Sequence, residues 1–295
     1  MEELWISHGK SNESLTRNLF SRWRYILFWI QVSYRNHMKT DFPQADLSMY
    51  NSIHKRIKSY MKTFEKTDPE FSRIITDFVY DEAMKHNPLD QTELYMCILA
   101  GLIGIQGKSM FQITVERALD DEVNPIIIKE VIYQATAYLG IGRTYDYLNA
   151  ANEVFVRKNI ELPLKPQGTT DQETRLQAGI DKQCELFGDH MRNVLPSSAP
   201  LRKTINTWLA DNCFGDYYTR KGLTNAQREM ITFCFLAAQG GCEPQLRSHT
   251  SANFRNGNNK EKMYAVTEAI MPYIGYPRTL NALNAIDEVA EKEGR

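Results

Sequence analysis

The sequence predicts an all-α protein in which one helical repeat occurs twice. Helix-start signals recur along the chain: capping boxes open at Asp90 and Thr224, and Asn124 followed by Pro125 marks a further helix start. Similar landmarks reappear in the same order at an offset of about 135 residues. The alternating pattern and paired turn signals of a β-sheet do not accompany them. This ordered series predicts a duplicated helical bundle.

The repeated segments divide the chain into four parts. We predict an N-terminal extension over residues 1–45, a first repeat over 46–160, a linker over 161–170 and a second repeat over 171–295. The linker is predicted from two prolines and one glycine between residues 163 and 170, among polar residues. Each repeat is long enough to bury an apolar core of its own.

The N-terminal extension combines basic and apolar residues. Between residues 17 and 39 there are five Lys or Arg and no acid, around an apolar run at residues 25–32. The run is much shorter than the roughly 20 residues of a membrane span, and no small-residue cleavage site follows it. We therefore expect no stable membrane insertion and favour a loosely packed extension, with Met38 as an alternative start. A basic amphipathic helix on a membrane surface is the alternative.

Composition narrows the classes of function. The formal net charge is −1, so no overall field favours binding to nucleic acid. The five cysteines are an odd number and widely scattered, which is typical of reduced thiols in a cytoplasmic protein. Neither a Cys-x-x-Cys pair nor a His/Cys cluster with zinc-ligand spacing occurs, so we predict no metal site.

One helix of the second repeat carries the candidate chemistry. Two glycines end the preceding helix and Pro244 suits a first helical turn, which places Cys242 at the new helix N-terminus. The helix dipole favours a thiolate there, although the neighbouring Glu243 opposes it. His249 follows two turns later and can exchange a proton near neutral pH. We expect Cys242 and His249 to face a shared cavity; the plainer interpretation is a hydrogen-bonded core histidine and a packing cysteine.

The second repeat contains the turn Gly-x-x-x-x-Arg-x-Gly-Leu at residues 215–223, His249 on a later helix and Tyr-x-Gly-x-Pro at residues 273–277. In these motifs it resembles the carboxymuconolactone decarboxylase family. The resemblance covers roughly residues 175–289. Residues 53–154 match in helix pattern only, because Ile113 or Thr114 falls at the histidine position. The resemblance implies an alkylhydroperoxidase D-like bundle with a degenerate site in the first repeat.

The resemblance also implies an activity and an assembly. The activity would be decarboxylation of a small carboxylated lactone or related organic acid, with His249 as the proton relay and without metal or organic cofactor. The family often has Glu where this chain has Gln245, four residues before the histidine. Two fused repeats would form a homotrimer with a pseudo-sixfold ring. The candidates for holding an anionic substrate are Gln245, Arg247, Arg220, Tyr217 and Tyr273.

Two alternatives remain open. Related alkylhydroperoxidase D proteins use a glutamate, two cysteines and a histidine; here Cys242 and His249 keep the separation, and Glu229 lies one residue from the glutamate position. Peroxide reduction through Cys242 would need Cys234 as the resolving thiol, because Gln245 replaces the second cysteine. The other alternative is a non-catalytic oligomeric or ligand-binding scaffold.

Overall fold

The computed structural model describes residues 63–295, which form helices joined by short irregular segments and contain no β-strand. The predicted all-α class is confirmed for this part of the chain. The predicted extension over residues 1–45 lies outside the described residues. None of the helices between residues 63 and 295 has the length and apolar content needed to cross a bilayer.

The described part of the first half begins with a short helix that continues into a π-helical segment. Side chains of Asp90 and Asn124 cap two of the later helices by accepting from backbone N–H groups, at 2.8 and 2.9 Å. The elements are α1 (Pro69–Thr76), the π-helical segment Asp77–Ala83, α2 (Gln91–Gly104), α3 (Lys108–Asp120), α4 (Pro125–Leu139) and α5 (Ile141–Arg157).

The second half contains the same kinds of element in the same order as residues 69–157, after a helix and a 3₁₀ turn at residues 175–193. The capping box predicted at Thr224 is present, with Gln227 as its partner. The elements are α6 (Arg175–Phe187), a 3₁₀ turn (Asp189–Asn193), α7 (Pro200–Trp208), the π-helical segment Leu209–Tyr218, α8 (Asn225–Gln239), α9 (Glu243–Arg255), α10 (Lys260–Ile274) and α11 (Tyr276–Glu293).

Helices of the two halves begin at a nearly constant residue offset, and the two halves share one core. The first residues of α2–α5 and of α8–α11 differ by 134 or 135 in number. The helices α4 and α10 both end at a glycine with positive φ, Gly140 and Gly275. Buried apolar residues from both halves form one continuous cluster, and α2 packs against α8 within it. The described parts of the two predicted repeats therefore fold as one unit.

The predicted linker lies against the second half. Residues 161–170 contain neither helix nor strand. The backbone N–H of Lys221 donates to the carbonyl of Gln167 at 2.9 Å, and the hydroxyl of Thr170 donates to the carbonyl of Gly215 at 2.8 Å. These bonds fix the segment beside the turn that follows residue 218.

Two glycines allow α6 and the π-helical segment Leu209–Tyr218 to approach at backbone distance. A Cβ at Gly215 would lie 2.2 Å from the carbonyl oxygen of Arg175, and a Cβ at Gly179 would lie 1.8 Å from that of Ala210. Any side chain at either position would force the two elements apart. This close contact places the buried aromatic residues of the segment next to the end of α4.

Candidate functional site

The centre of the candidate site is a buried pair of ionisable side chains, one on each of two neighbouring helices. His249 on α9 is 7% exposed and Glu229 on α8 is fully buried. The imidazole Nδ1 lies 2.7 Å from Glu229 Oε2. With Glu229 in its ionised form, the carboxylate can only accept, and the proton of this hydrogen bond is then on Nδ1. This arrangement leaves Nε2 as the atom that can take up or release a second proton.

Aromatic side chains enclose the other edge of the imidazole. The hydroxyl of Tyr138 lies 3.4 Å from Nε2, which is a long contact for a hydrogen bond. The rings of Tyr138 and Phe187 stand edge-on to the imidazole, with centroids at 5.3 and 5.4 Å. Tyr138 belongs to α4, so the first half contributes directly to the surroundings of His249.

The phenol of Tyr138 continues into a chain of hydrogen bonds. It lies 2.6 Å from the hydroxyl of Tyr218, which in turn lies 2.9 Å from Thr232 Oγ1. Burial raises the pKa of both phenols well above the usual value. The next largest cause is the nearby phenol of Tyr218 for Tyr138, and the nearby carboxylate of Glu229 for Tyr218. Both phenols therefore stay neutral and can donate at physiological pH. Burial also raises the pKa of the nearby Cys213 thiol to about 12.

The same chain reaches a buried cluster of charges. Gln134 Nε2 donates to Thr232 Oγ1 and to the carbonyl of Arg228, both at 2.8 Å, and Arg228 donates back to Gln134 Oε1. Arg228 also donates to Glu130 at 3.1 Å. Arg220 donates to the same carboxylate from two nitrogens, at 2.9 to 3.1 Å. A continuous polar network thus joins the imidazole of His249 to Glu130 at the other end of α4.

The expectation that Cys242 and His249 share a cavity is wrong. The helices α8 and α9 are antiparallel: Glu229 contacts His249, whereas the Cys242 thiol donates to the carbonyl of Leu236 at 3.4 Å. These two contacts are seven residues apart on each helix, which is roughly 10 Å at 1.5 Å per residue. Cys242 is the N-cap and has non-helical backbone angles, so the helical stripe that contains His249 does not reach it.

The predicted activation of the Cys242 thiol is also wrong. Partial burial raises its pKa, and Glu243 raises it further, against a smaller lowering by Gln239. Cys234, the predicted resolving thiol, is fully buried beside Cys97, whose pKa is raised by burial and then by Cys234. The structure therefore does not bring together the two thiols that a peroxide-reducing cycle would need.

Two of the predicted substrate-binding residues lie on the surface of α9. Gln245 is exposed. Arg247 forms an ion pair with Glu288 on α11, at 2.5 Å, and both side chains are largely exposed. The substitution of Gln245 for the family's glutamate does not leave the histidine without a carboxylate, because Glu229 on α8 lies against His249.

The other three predicted binding residues have separate surroundings. Arg220 joins the polar network through Glu130 and stacks on the Tyr133 ring at 4.9 Å. Tyr217 is half-buried, and burial and then Asp216 raise its pKa. Tyr273 is half-buried on α10, close enough to Tyr95 to help raise the pKa of that phenol. Among these three residues, Arg220 is the one that the described hydrogen bonds connect, through Glu130 and the polar network, to the imidazole of His249.

The residues of α4 are the part of the site that sequence reasoning missed. Glu130, Gln134 and Tyr138 are spaced by four along α4, so they form a polar stripe on one face of the helix. That stripe was a usable signal, because three polar side chains on the buried face of a helix need partners. Glu130 and Gln134 find their partners on α8, in the buried Arg228 and Thr232, and Tyr138 finds its partners in Tyr218 and His249.

The fold and the site define an all-α protein with a buried acid–base pair on adjacent antiparallel helices. Residues 205–288 match the carboxymuconolactone decarboxylase family, a match that includes Glu229 and His249 and excludes Tyr138. The chain is also similar to the 4-carboxymuconolactone decarboxylase of Acinetobacter baylyi, with 26% identity over 125 residues that cover 42% of this chain and 92% of that protein. The family resemblance is confirmed for residues 205–288.

Proposed function

We propose that the protein is a carboxymuconolactone decarboxylase-like enzyme that decarboxylates a small carboxylated lactone or related organic acid. The observation that carries this proposal is the 2.7 Å contact between His249 Nδ1 and the fully buried carboxylate of Glu229. The family match over residues 205–288 and the similarity to a decarboxylase support the same class of reaction.

In the proposed reaction His249 returns a proton to the carbon that loses CO2. The bond between that carbon and the carboxylate breaks, CO2 leaves, and the electron pair stays on the carbon. Protonated Nε2 then gives its proton to the carbon, and solvent restores the proton. Glu229 stabilises the positive imidazolium before the transfer, and the neutral phenol of Tyr138 lies next to Nε2.

The proposal requires a small movement of the enclosing aromatic residues. His249 is 7% exposed and lies under the rings of Tyr138 and Phe187. A substrate can reach Nε2 only after one of these rings has turned aside.

The test is CO2 release from 4-carboxymuconolactone by the full-length protein and its variants. We expect His249→Ala to lower kcat by about 100-fold or more, the usual share of general acid–base catalysis. The matched control is His190→Ala, since His190 is an exposed histidine on the 3₁₀ turn, and it should leave kcat unchanged. Equal turnover by the wild type and His249→Ala would reject the role of His249. A wild type without turnover would favour the scaffold hypothesis.

We also propose that the chain assembles with itself, as a homotrimer with a pseudo-sixfold ring. Support comes from the apolar face of α7, where Leu201, Ile205 and Trp208 are 97%, 60% and 57% exposed at helical spacing. Sedimentation analysis should give about three times the mass of one chain. Trp208→Glu should reduce that mass, and Lys203→Glu on the polar part of α7 should not. A monomeric wild type at all concentrations would contradict the proposal.

We further propose that the two halves derive from one duplicated helical repeat. The constant offset of 134 or 135 residues between α2–α5 and α8–α11 supports this. Superposition of the two sets should align all four helix pairs in the same directions. Opposed directions in any pair would argue against a common origin.

A further inference from the structure

A cavity of about 350 Å³ lies between the N-terminal part of α4, α5 and the irregular segment at residues 162–167. Its apolar wall includes Ile126, Tyr133, Leu162 and Leu164. The volume falls in the usual range for small-molecule sites. The cavity is separate from the imidazole of His249. Lys129 lines the cavity, whereas Tyr138 contacts His249, and these two residues are nine positions apart on α4, which is roughly 13 Å along the helix.

A buried ammonium group is the main polar feature of this cavity. Lys129 is 8% exposed, and its Nζ donates to Asn152 Oδ1 and lies 5.5 Å from the centre of the Phe155 ring. Within residues 63–295, no Asp or Glu forms an ion pair with Lys129. Burial lowers the pKa of this lysine, in agreement with a cation that lacks a negative partner. An uncompensated buried charge is unfavourable, and an anion in the cavity would relieve it.

The neighbouring carboxylate does not neutralise this charge. Glu130, the acid that lines the cavity, already accepts hydrogen bonds from Arg220 and from the fully buried Arg228. Lys165 adds a further positive charge at the exposed rim. The cavity is therefore positive overall, with an apolar wall opposite its charged groups.

We propose that this cavity binds a small organic carboxylate. The carboxylate pairs with Lys129 and accepts from Asn152 Nδ2, while the hydrocarbon part of the ligand contacts Tyr133, Leu162 and Leu164. This site is additional to the proposed catalytic one, and neither proposal depends on the other.

The test is calorimetric titration of the full-length protein with benzoate, with benzamide as the neutral analogue of the same shape. We expect one benzoate per chain and binding of benzamide that is weaker by about tenfold or more, because benzamide lacks the charge. Lys129→Met should weaken benzoate binding by about the same factor. The matched control is Lys108→Met, because Lys108 is an exposed lysine at the start of α3, and it should bind benzoate like the wild type.

Two further variants keep the test decisive. Asn152→Asp retains the lysine and places a carboxylate beside it, so it should fold normally and still weaken benzoate binding. His249→Ala should bind benzoate like the wild type. Equal benzoate affinity in the wild type, Lys129→Met and Asn152→Asp would overturn the proposal. So would binding that is lost in His249→Ala and kept in Lys129→Met, since benzoate would then occupy the catalytic site.

Discussion

The substitution Glu130→Gln tests whether the polar network between α4 and α8 stabilises the fold. Glu130 and Arg228 are each 1% exposed and lie 3.1 Å apart, and Arg220 shares the same carboxylate. The change removes one negative charge with almost no change of shape. It leaves the guanidinium of Arg228 buried without a charged partner.

The expected loss of stability follows from the contacts that remain. Removing one partner of a buried ion pair costs about 3–5 kcal/mol. Arg228 keeps its hydrogen bonds to Gln134 and to the carbonyls of Arg220 and Lys221, so we expect the lower end, about 3 kcal/mol. In a protein of this size that corresponds to a fall in Tm of about 5 °C.

The assay is urea unfolding followed by circular dichroism, with a matched pair elsewhere in the chain. Glu288 and Arg247 also form an ion pair, but their side chains are 54% and 43% exposed. Glu288→Gln should therefore cost no more than about 0.5 kcal/mol. In a double-mutant cycle, Glu130→Gln combined with Arg228→Met should lower the free energy of unfolding by less than the sum of the two single changes. The reason is that Arg228→Met removes the guanidinium charge that Glu130→Gln leaves without a charged partner.

The comparison of the two glutamates decides the outcome. If Glu130→Gln and Glu288→Gln lower the free energy of unfolding by the same small amount, the buried network contributes no more than a surface pair. The packing of α4 against α8 would then not depend on these charges.

Three further predictions concern packing, thiols and pH. Gly215→Ala should lower the free energy of unfolding by about 3 kcal/mol, because the added Cβ would lie 2.2 Å from a backbone oxygen. Gly142→Ala on α5 should raise that free energy by up to about 1 kcal/mol, because the added Cβ would meet open space. Similar urea midpoints for the two variants would contradict this prediction. Ellman's reagent should modify Cys242 first in the native protein, because it is the least buried of the five thiols, and peptide mapping that finds another thiol modified first would reject this. The free energy of unfolding should fall as the pH rises from about 10 to about 12. Burial raises the pKa of Tyr147 from 10.0 to about 12, so in this interval the folded state keeps a proton that the unfolded state releases. A free energy of unfolding that stays constant over this interval would contradict the prediction.

The helices were predictable because their signals are local. Asn124 and Thr224 each accept a backbone hydrogen bond within three residues, so a short stretch of sequence contains the whole interaction. The π-helical segment Leu209–Tyr218 was not predicted; it packs against α6 at backbone distance, and that contact joins residues far apart in the sequence. Local rules describe helix ends well and describe helix contacts poorly.

The error over Cys242 has the same origin. A spacing of seven residues places two side chains on one face only if both positions are helical, and Cys242 precedes the helix. The partner of His249 was harder to identify, because Glu229 comes from a different helix and meets it only when α8 and α9 pack in antiparallel fashion. Spacing along one helix could not reveal that contact.

The buried polar faces of α4 and α8 explain why the two halves form one unit. The helix α8 brings Arg228, Glu229 and Thr232 into the core, and such groups are stable there only with hydrogen-bond partners. The helix α4 provides partners for Arg228 and Thr232 through Glu130 and Gln134, which lie outside the family match over residues 205–288, and it places Tyr138 beside His249. The family-matched segment therefore holds the acid–base pair, but the first half completes the polar surroundings that allow this pair to be buried.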